Sequence, residues 1–160
     1  MTPVRTDTRS VHPFDTRSNW AGPESAIFDR LESWTARPEA GIKYYSGTAV
    51  YRKTFTLPAK SGPKVFLDLG GVRELAEIKV NGQSCGIVWT PPFRVGITTA
   101  GRAGENSLEI EVVNFWPNRI IGDQFLAPSQ RLTRTNIRKL TKTTALMDSG
   151  LLGPVRVLSD

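Results

Sequence analysis

One cysteine, Cys85, and one histidine, His12, stand in 160 residues. A lone thiol allows no intrachain disulfide. A lone imidazole without partner ligands does not suit a zinc centre or a histidine-dependent triad. No stretch approaches the roughly 20 apolar residues of a membrane-spanning helix. Residues 1–19 are polar, with Arg5, Asp7, Arg9, Asp15 and Arg17 spread through them. Lacking an apolar segment, they do not read as a secretory signal. Acid is missing too: between Arg131 and Lys142 stand Arg134, Arg138 and Lys139 and not one carboxylate. With a formal net charge of +6, such a run could track phosphates, but no nucleic-acid motif accompanies it and the rest of the chain nearly balances. It reads as a solvated basic loop or as a patch facing acidic glycan, not as a nucleic-acid surface.

The chain is 39% hydrophobic and 22% charged, an ordinary globular balance for one domain. Its central residues alternate with period two. Ala49, Tyr51, Phe55 and Leu57 take one face of a strand; Thr48, Arg52, Thr54 and Thr56 take the other. Val65, Leu67 and Leu69 alternate likewise, as do Ala76, Ile78 and Val80. Asn81-Gly82 marks a hairpin, since both positions tolerate the positive φ of a type I′ turn. Cys85, Ile87 and Trp89 continue on the return strand, and Cys85, on its apolar-patterned face, reads as a core residue and not a nucleophile. Phe93, Val95 and Ile97 form a short strand, and Leu108, Ile110, Val112 and Asn114 share a face of a long one. The last strand is expected from Pro154 to Leu158. Between Pro23 and Leu31, Ile27, Phe28 and Leu31 could form the apolar side of a short helix. Several short strands at regular spacing predict an all-β antiparallel sandwich or jelly roll of one domain, residues 14–160, behind a flexible arm over residues 1–13.

Along this strand map lie Leu31-Glu-Ser-Trp34, Gly41-Ile-Lys-Tyr-Tyr-Ser-Gly47, Tyr51-Arg-Lys-Thr-Phe55, Val80-Asn-Gly82 and Trp89-Thr-Pro-Pro-Phe93. Gly104-Glu-Asn-Ser-Leu108, Asn118-Arg-Ile-Ile-Gly-Asp123 and Ser149-Gly-Leu-Leu-Gly-Pro-Val155 follow. In this order the strings resemble the C-terminal sandwich of bacterial α-L-rhamnosidase-like glycoside hydrolases (family 106). A simpler subset resembles the sugar-binding jelly roll of the family 2 glycoside hydrolases. The resemblance runs from about Phe14 to Val157. It implies a galactose-binding-like sandwich serving as a carbohydrate-binding or accessory module for rhamnose- or galactose-containing plant-type glycans, in a secreted or periplasmic enzyme. In such enzymes the catalytic carboxylates sit in a separate (β/α)₈ barrel, which needs roughly 250 residues of its own, so that barrel would be this module's partner.

Sugars present apolar C–H faces rimmed by hydroxyls, so a site needs an exposed flat ring and a few fixed polar groups. Trp89 and Trp116, each beside loop-forming proline, and Tyr44 and Tyr45 before Gly47, are candidate platforms; the alternative is that they cap the core. Trp20 and Trp34 read as core. Asn114, Asn118, Arg119 and Asp123 offer the donors and acceptors of a pyranose edge. Alternatively, Arg119 and Asp123 form an ion pair that pins the loop. The resemblance puts Arg134 and Asn136 at the same end. A small autonomous glycosidase is a further reading, with Asp123 and Asp148 as catalytic carboxylates drawn from a set that includes Asp68, Glu74 and Glu77. A purely structural packing domain is another. Glu109 and Glu111 stand about 6.5–7 Å apart on one strand face, a separation that suits an inverting pair, though facing lysine or arginine explains such acids equally well. Sandwiches of this type often carry structural calcium, but no acidic cluster assigns it here.

Overall fold

The computed structural model describes residues 22–59 and 62–160, together with the backbone of two N-terminal strands. These strands are β1 (Thr2–Val4) and β2 (His12–Thr16). Then come β3 (Ser25–Phe28), helix α1 (Ala40–Lys43), β4 (Thr48–Leu57), β5 (Val65–Asp68), β6 (Val72–Arg73), β7 (Leu75–Val80) and β8 (Gln83–Val88). The chain continues with β9 (Arg94–Gly96), β10 (Gly104–Val113), helix α2 (Pro117–Asp123), β11 (Gly150–Leu151) and β12 (Arg156–Ser159). Every strand pairing among the described residues is antiparallel. One sheet runs β3-β2-β4-β10-β7-β8, a second runs β1-β12-β5-β9, and β11 pairs with β6. The chain folds as the expected antiparallel β-sandwich.

The alternation that predicts the central strands is also what buries them. Ala49, Tyr51, Phe55 and Leu57 of β4 meet Leu108, Ile110 and Val112 of β10 in one apolar cluster with Val65 and Leu67 of β5. β4 and β10 pair over ten positions, from Gly104 with Leu57 to Val113 with Thr48. A one-residue slip there would turn every apolar side chain outward, so the register is strongly specified. Glu109 lies opposite both Arg52 and Lys79, and its carboxylate comes within 3.9 Å of the Arg52 guanidinium. Facing cations therefore account for Glu109, whereas Glu111 lies opposite Val50 and Glu77. At the hairpin between β7 and β8, Asn81 has φ 52° and Gly82 has φ 79°, as a type I′ turn requires.

Three sequence expectations give way. Ile27 and Phe28 lie on a strand, not a helix, and Leu31 follows it: β3 pairs with β2 through His12 with Phe28 to Asp15 with Ser25. Four residues facing an available strand edge are too short to hold an isolated helix. On β8, Ile87 is 57% exposed, because a register shift at Ile78/Lys79 interrupts the pairing and breaks strict alternation. Cys85 stays half-buried against the core, where burial pushes its thiol pKa up. The last strand starts at Arg156, two residues later than predicted. Trp20 and most of the arm expected over residues 1–13 lie outside the described residues, although β1 pairs with β12 and β2 with β4.

Beyond the sheets, an aromatic knot closes one end of the core. Trp34 meets Tyr45 edge to face at 5.6 Å, and Phe28 meets Tyr51 at 5.8 Å. The indole Nε1–H of Trp34 donates to the Tyr51 hydroxyl, which also accepts from the Leu151 amide. Burial pushes the Tyr51 pKa up to about 12, against those two hydrogen bonds. Gly150, at φ +93°, lies so close that a Cβ there would sit 2.2 Å from Trp34 Nε1. Only glycine fits both the backbone angle and the space.

Candidate functional site

The register of the six-stranded sheet gathers the candidate residues at one end. Val113 of β10 lies opposite Leu75 of β7 and opposite Thr48 of β4, while Ala76 of β7 lies opposite Val88 of β8. Trp89 therefore leaves β8 at the level where Asn114, Phe115 and Trp116 leave β10 and where Tyr44 to Gly47 lead into β4. β8 and β10 are separated by one strand, hence by about 10 Å. Trp89 at 72% and Trp116 at 62% exposure both meet solvent, as do Phe115, Phe125 and Met147. Large rings left this bare at a sheet end mark a contact surface more often than chance exposure does.

The polar residues expected beside Trp116 are instead inside. Residues 117–123 form helix α2, with Pro117 at its start, where a missing N–H costs nothing and the fixed φ suits the first turn. Seven residues are too few to show a helical period in sequence. Asn118, Arg119 and Asp123 are 3%, 5% and 1% exposed. Asn118 clamps the backbone of Met147, donating to its carbonyl at 2.7 Å and accepting from its amide at 2.9 Å. Arg119 Nε donates to Asp123 Oδ1 at 3.1 Å, while the other carboxylate oxygen accepts from the Thr133 amide at 2.7 Å and from the Thr133 hydroxyl. Burial raises the Asp123 pKa, but these donors and the Arg119 charge outweigh it and hold the carboxyl below its ordinary value. The Arg119–Asp123 pair thus pins the following loop to α2. Asn114 is spent similarly, accepting from Gly47 N and donating to Tyr45 O, both at 2.9 Å. The reason is common to all of them: irregular chain packed over a sheet end leaves backbone groups that need buried side-chain partners.

Tyr45 is buried too, its hydroxyl donating to Thr48 O at 2.9 Å. Tyr44 is half-buried, its ring 5.8 Å from Phe125 and 5.9 Å from the Arg119 guanidinium. A Cβ on Gly122 would strike the Tyr44 ring at 2.6 Å, so α2 lies directly on that tyrosine. The tyrosines are thus footings for α2, and the open rings are Trp89, Phe115, Trp116 and Phe125. The last two phenylalanines escaped sequence reasoning, because neither strand period nor proline flanks them.

Arg134 and Asn136 are exposed on the loop after α2. That loop turns its alternate residues Arg131, Thr133, Thr135 and Ile137, with Arg138, into a cleft of about 370 Å³ against Asp123 and Gln124, and Arg134 and Asn136 do not line it. A second cavity of about 400 Å³ opens against the sandwich core, walled by Tyr51, Phe55, Leu108, Ile110, Leu151 and Val157, with Asp29, Arg30, Lys53 and Arg156 also lining it.

Of the carboxylates considered for catalysis, Asp123 has both oxygens engaged. Asp68 is bound to Arg94 at 2.8 Å and accepts from Gly70 N at 2.9 Å. Its partial burial raises its pKa, but those partners prevail and lower it overall. Asp148 is exposed beside buried Ser149. Among the described residues no three histidine, cysteine or acidic side chains gather as a metal cluster would require, and no helix is long and apolar enough to cross a membrane.

A β-sandwich fold alone does not fix a function; sequence and structural kinship narrow it. Residues 35–144 match the family described as glycosyl hydrolase 2 galactose-binding domain-like. The chain belongs to that family. Its galactose-binding-like fold superposes on a rhamnosidase from Novosphingobium sp. PP1Y with a TM-score of 0.90 at 37% identity, covering 98% of this chain and 15% of that one. A β-D-glucuronidase from Dictyoglomus thermophilum gives a TM-score of 0.57 at 26% identity, over 68% of this chain and 19% of that one. In sequence, the chain is 41% identical over 156 residues to a Formosa agariphila protein that carries a β-glucuronidase name, covering 81% of this chain and 13% of the relative. This galactose-binding-like domain therefore spans less than a fifth of each of these three proteins.

Proposed function

We propose that this chain is the carbohydrate-binding accessory module of a larger glycoside hydrolase, acting outside the cytoplasm on rhamnose- or galactose-containing glycans. The observation that carries the reading is the sheet end where Trp89, Phe115 and Trp116 stand open to solvent although the same fold buries Trp34, Tyr45 and Tyr51 completely. An exposed indole offers a flat apolar face to sugar C–H groups, and the loop after α2 supplies polar groups nearby. Open, shallow sites of this kind bind with Kd of about a millimolar or somewhat tighter, worth about 4–6 kcal/mol. Titration of the chain with rhamnose-containing oligosaccharides, followed by NMR, should shift the indole signals of Trp89 and Trp116. Unchanged binding in both Trp89→Ala and Trp116→Ala would remove the rings from the site.

A second reading is favoured by the coverage: the same rings could instead seat a catalytic barrel of the larger enzyme, as a packing domain. In that case the isolated chain self-associates through this end and does not respond to any glycan. A small autonomous glycosidase would require turnover that collapses on Asp148→Asn, and new reducing-end signals in the same NMR samples would reveal it.

A further inference from the structure

The cleft between α2 and the loop after it has a chemistry different from that of the tryptophan surface. Its loop side is built by Arg131, Thr133, Thr135 and Arg138, with Thr141 and the apolar Ile137 and Leu140 completing the wall. At about 370 Å³ it is of the size that takes a small ligand. Asp123 is the one carboxylate among its lining residues, and Arg119 and Thr133 already neutralise it through three hydrogen bonds. Neither Arg131 nor Arg138 makes an ion pair or a hydrogen bond among the described residues. Arg134 and Lys139 stand exposed nearby, and Lys142 lies over the Phe125 ring at 5.5 Å. Several cations held around a cleft without counter-charge repel one another, an arrangement that an anionic ligand relieves. Guanidinium forks match planar or tetrahedral oxyanions, and threonine hydroxyls match sugar hydroxyls.

We infer that this cleft is a subsite for an anionic pyranose, one bearing a carboxylate or a sulfate ester, with Arg131 and Arg138 on the charge and the threonine hydroxyls on the ring. The inference deepens the carbohydrate-binding reading and shares its assumption that the module meets glycan. The site is separate from the indole surface: α2, about 10 Å long by helical rise, lies between Trp116 and the Asp123 end. A single saccharide of several residues could therefore span the two. Nucleic acid offers the same charge, but Trp89 and Trp116 lie beyond the cleft, and no aromatic ring is among the described residues that line it.

Four probes test it by calorimetry and NMR on the 160-residue chain: trigalacturonate, its methyl ester, a sulfated neutral trisaccharide and a short single-stranded oligonucleotide. Trigalacturonate or the sulfated sugar should bind, and which of them binds better identifies the anion. Arg131→Gln and Arg138→Gln should each weaken that binding roughly tenfold, the loss of a charge-assisted hydrogen bond. Raising salt from about 0.05 M to about 0.5 M should weaken it several-fold. Both arginines are exposed and unbonded, so the variants keep their fold, and an unchanged amide spectrum verifies this. The inference is overturned if the methyl ester binds as well as the free acid, if Arg131→Gln and Arg138→Gln leave binding intact, or if the oligonucleotide binds more tightly than either sugar. Trp116→Ala separates the two readings. Loss of neutral-sugar binding there, with trigalacturonate retained, keeps both. Absence of any neutral-sugar binding with trigalacturonate retained sinks the tryptophan reading alone.

Discussion

Replacing Asp123 with asparagine keeps the side chain's size and removes its charge. In the native chain Oδ1 accepts from Arg119 and Oδ2 accepts from the amide and hydroxyl of Thr133. An asparagine has one acceptor oxygen, so its NH₂ must face either the Arg119 guanidinium or the Thr133 donors. Donor then meets donor in a place that is 1% exposed. The Arg119 charge, itself 5% exposed, loses its counter-ion, and breaking one half of a buried pair costs about 3–5 kcal/mol. With an m-value of about 2 kcal/mol per molar urea, the unfolding midpoint should drop by about 1.5–2.5 M. A drop below about 0.5 M, which is about 1 kcal/mol, would refute the reasoning. Charge explains the loss only if acid narrows the gap. Asp123 has a folded pKa below its unfolded value of about 3.9. Its contribution is therefore complete above that value and disappears as pH falls through the folded pKa. The difference between native and variant should accordingly shrink on acidification below about pH 4. Adding Arg119→Met should recover part of the loss, since the uncompensated guanidinium is then gone.

Tyr51→Phe leaves the Trp34 indole N–H and the Leu151 amide without their shared acceptor; it should cost about 1–3 kcal/mol in urea unfolding. Gly150→Ala forces a Cβ against Trp34 at a φ of +93°, and a loss of at least about 2 kcal/mol is expected. Asn106→Ala removes four hydrogen bonds of 2.8 Å, to Asn81, Arg102 (two) and Gly104, and should destabilise the β10 entry turn by about 2–3 kcal/mol. By contrast, Trp89→Ala and Trp116→Ala should leave thermal stability within about 0.5 kcal/mol. The same changes should weaken oligosaccharide binding about three- to tenfold, as loss of an aromatic contact does.

How far the sequence reached can be judged strand by strand. Alternation alone placed Ala49, Tyr51, Phe55 and Leu57 inward, because a side-chain period of two is a property of extended backbone and needs no knowledge of the partner strand. Asn81-Gly82 announced its hairpin for an equally local reason, the low cost of positive φ at those residues. The order of short strands, together with the strings from Leu31 to Val155, led to the sandwich and to its glycoside hydrolase kinship. The charge of the 131–142 run was also legible, since charge is composition.

Burial of polar groups was not legible. Asn118, Arg119 and Asp123 carry the right atoms for a sugar, and equally the right atoms for Met147, Thr133 and each other. Which partner wins depends on where the chain from residue 124 to 149 comes to rest: Ser149 donates to Ser33, 116 residues away in sequence. Tyr44 and Tyr45 were ambiguous for the same reason, and were settled when α2 packed over them. Ile87 turned outward through a register shift that belongs to the pairing of β7 with β8, not to either strand alone. The cleft lined by Arg131 and Arg138 likewise exists only because Asp123 holds Thr133 in place. Local backbone chemistry was written in the sequence; the competition among distant polar groups for the same few buried partners was decided by the tertiary fold.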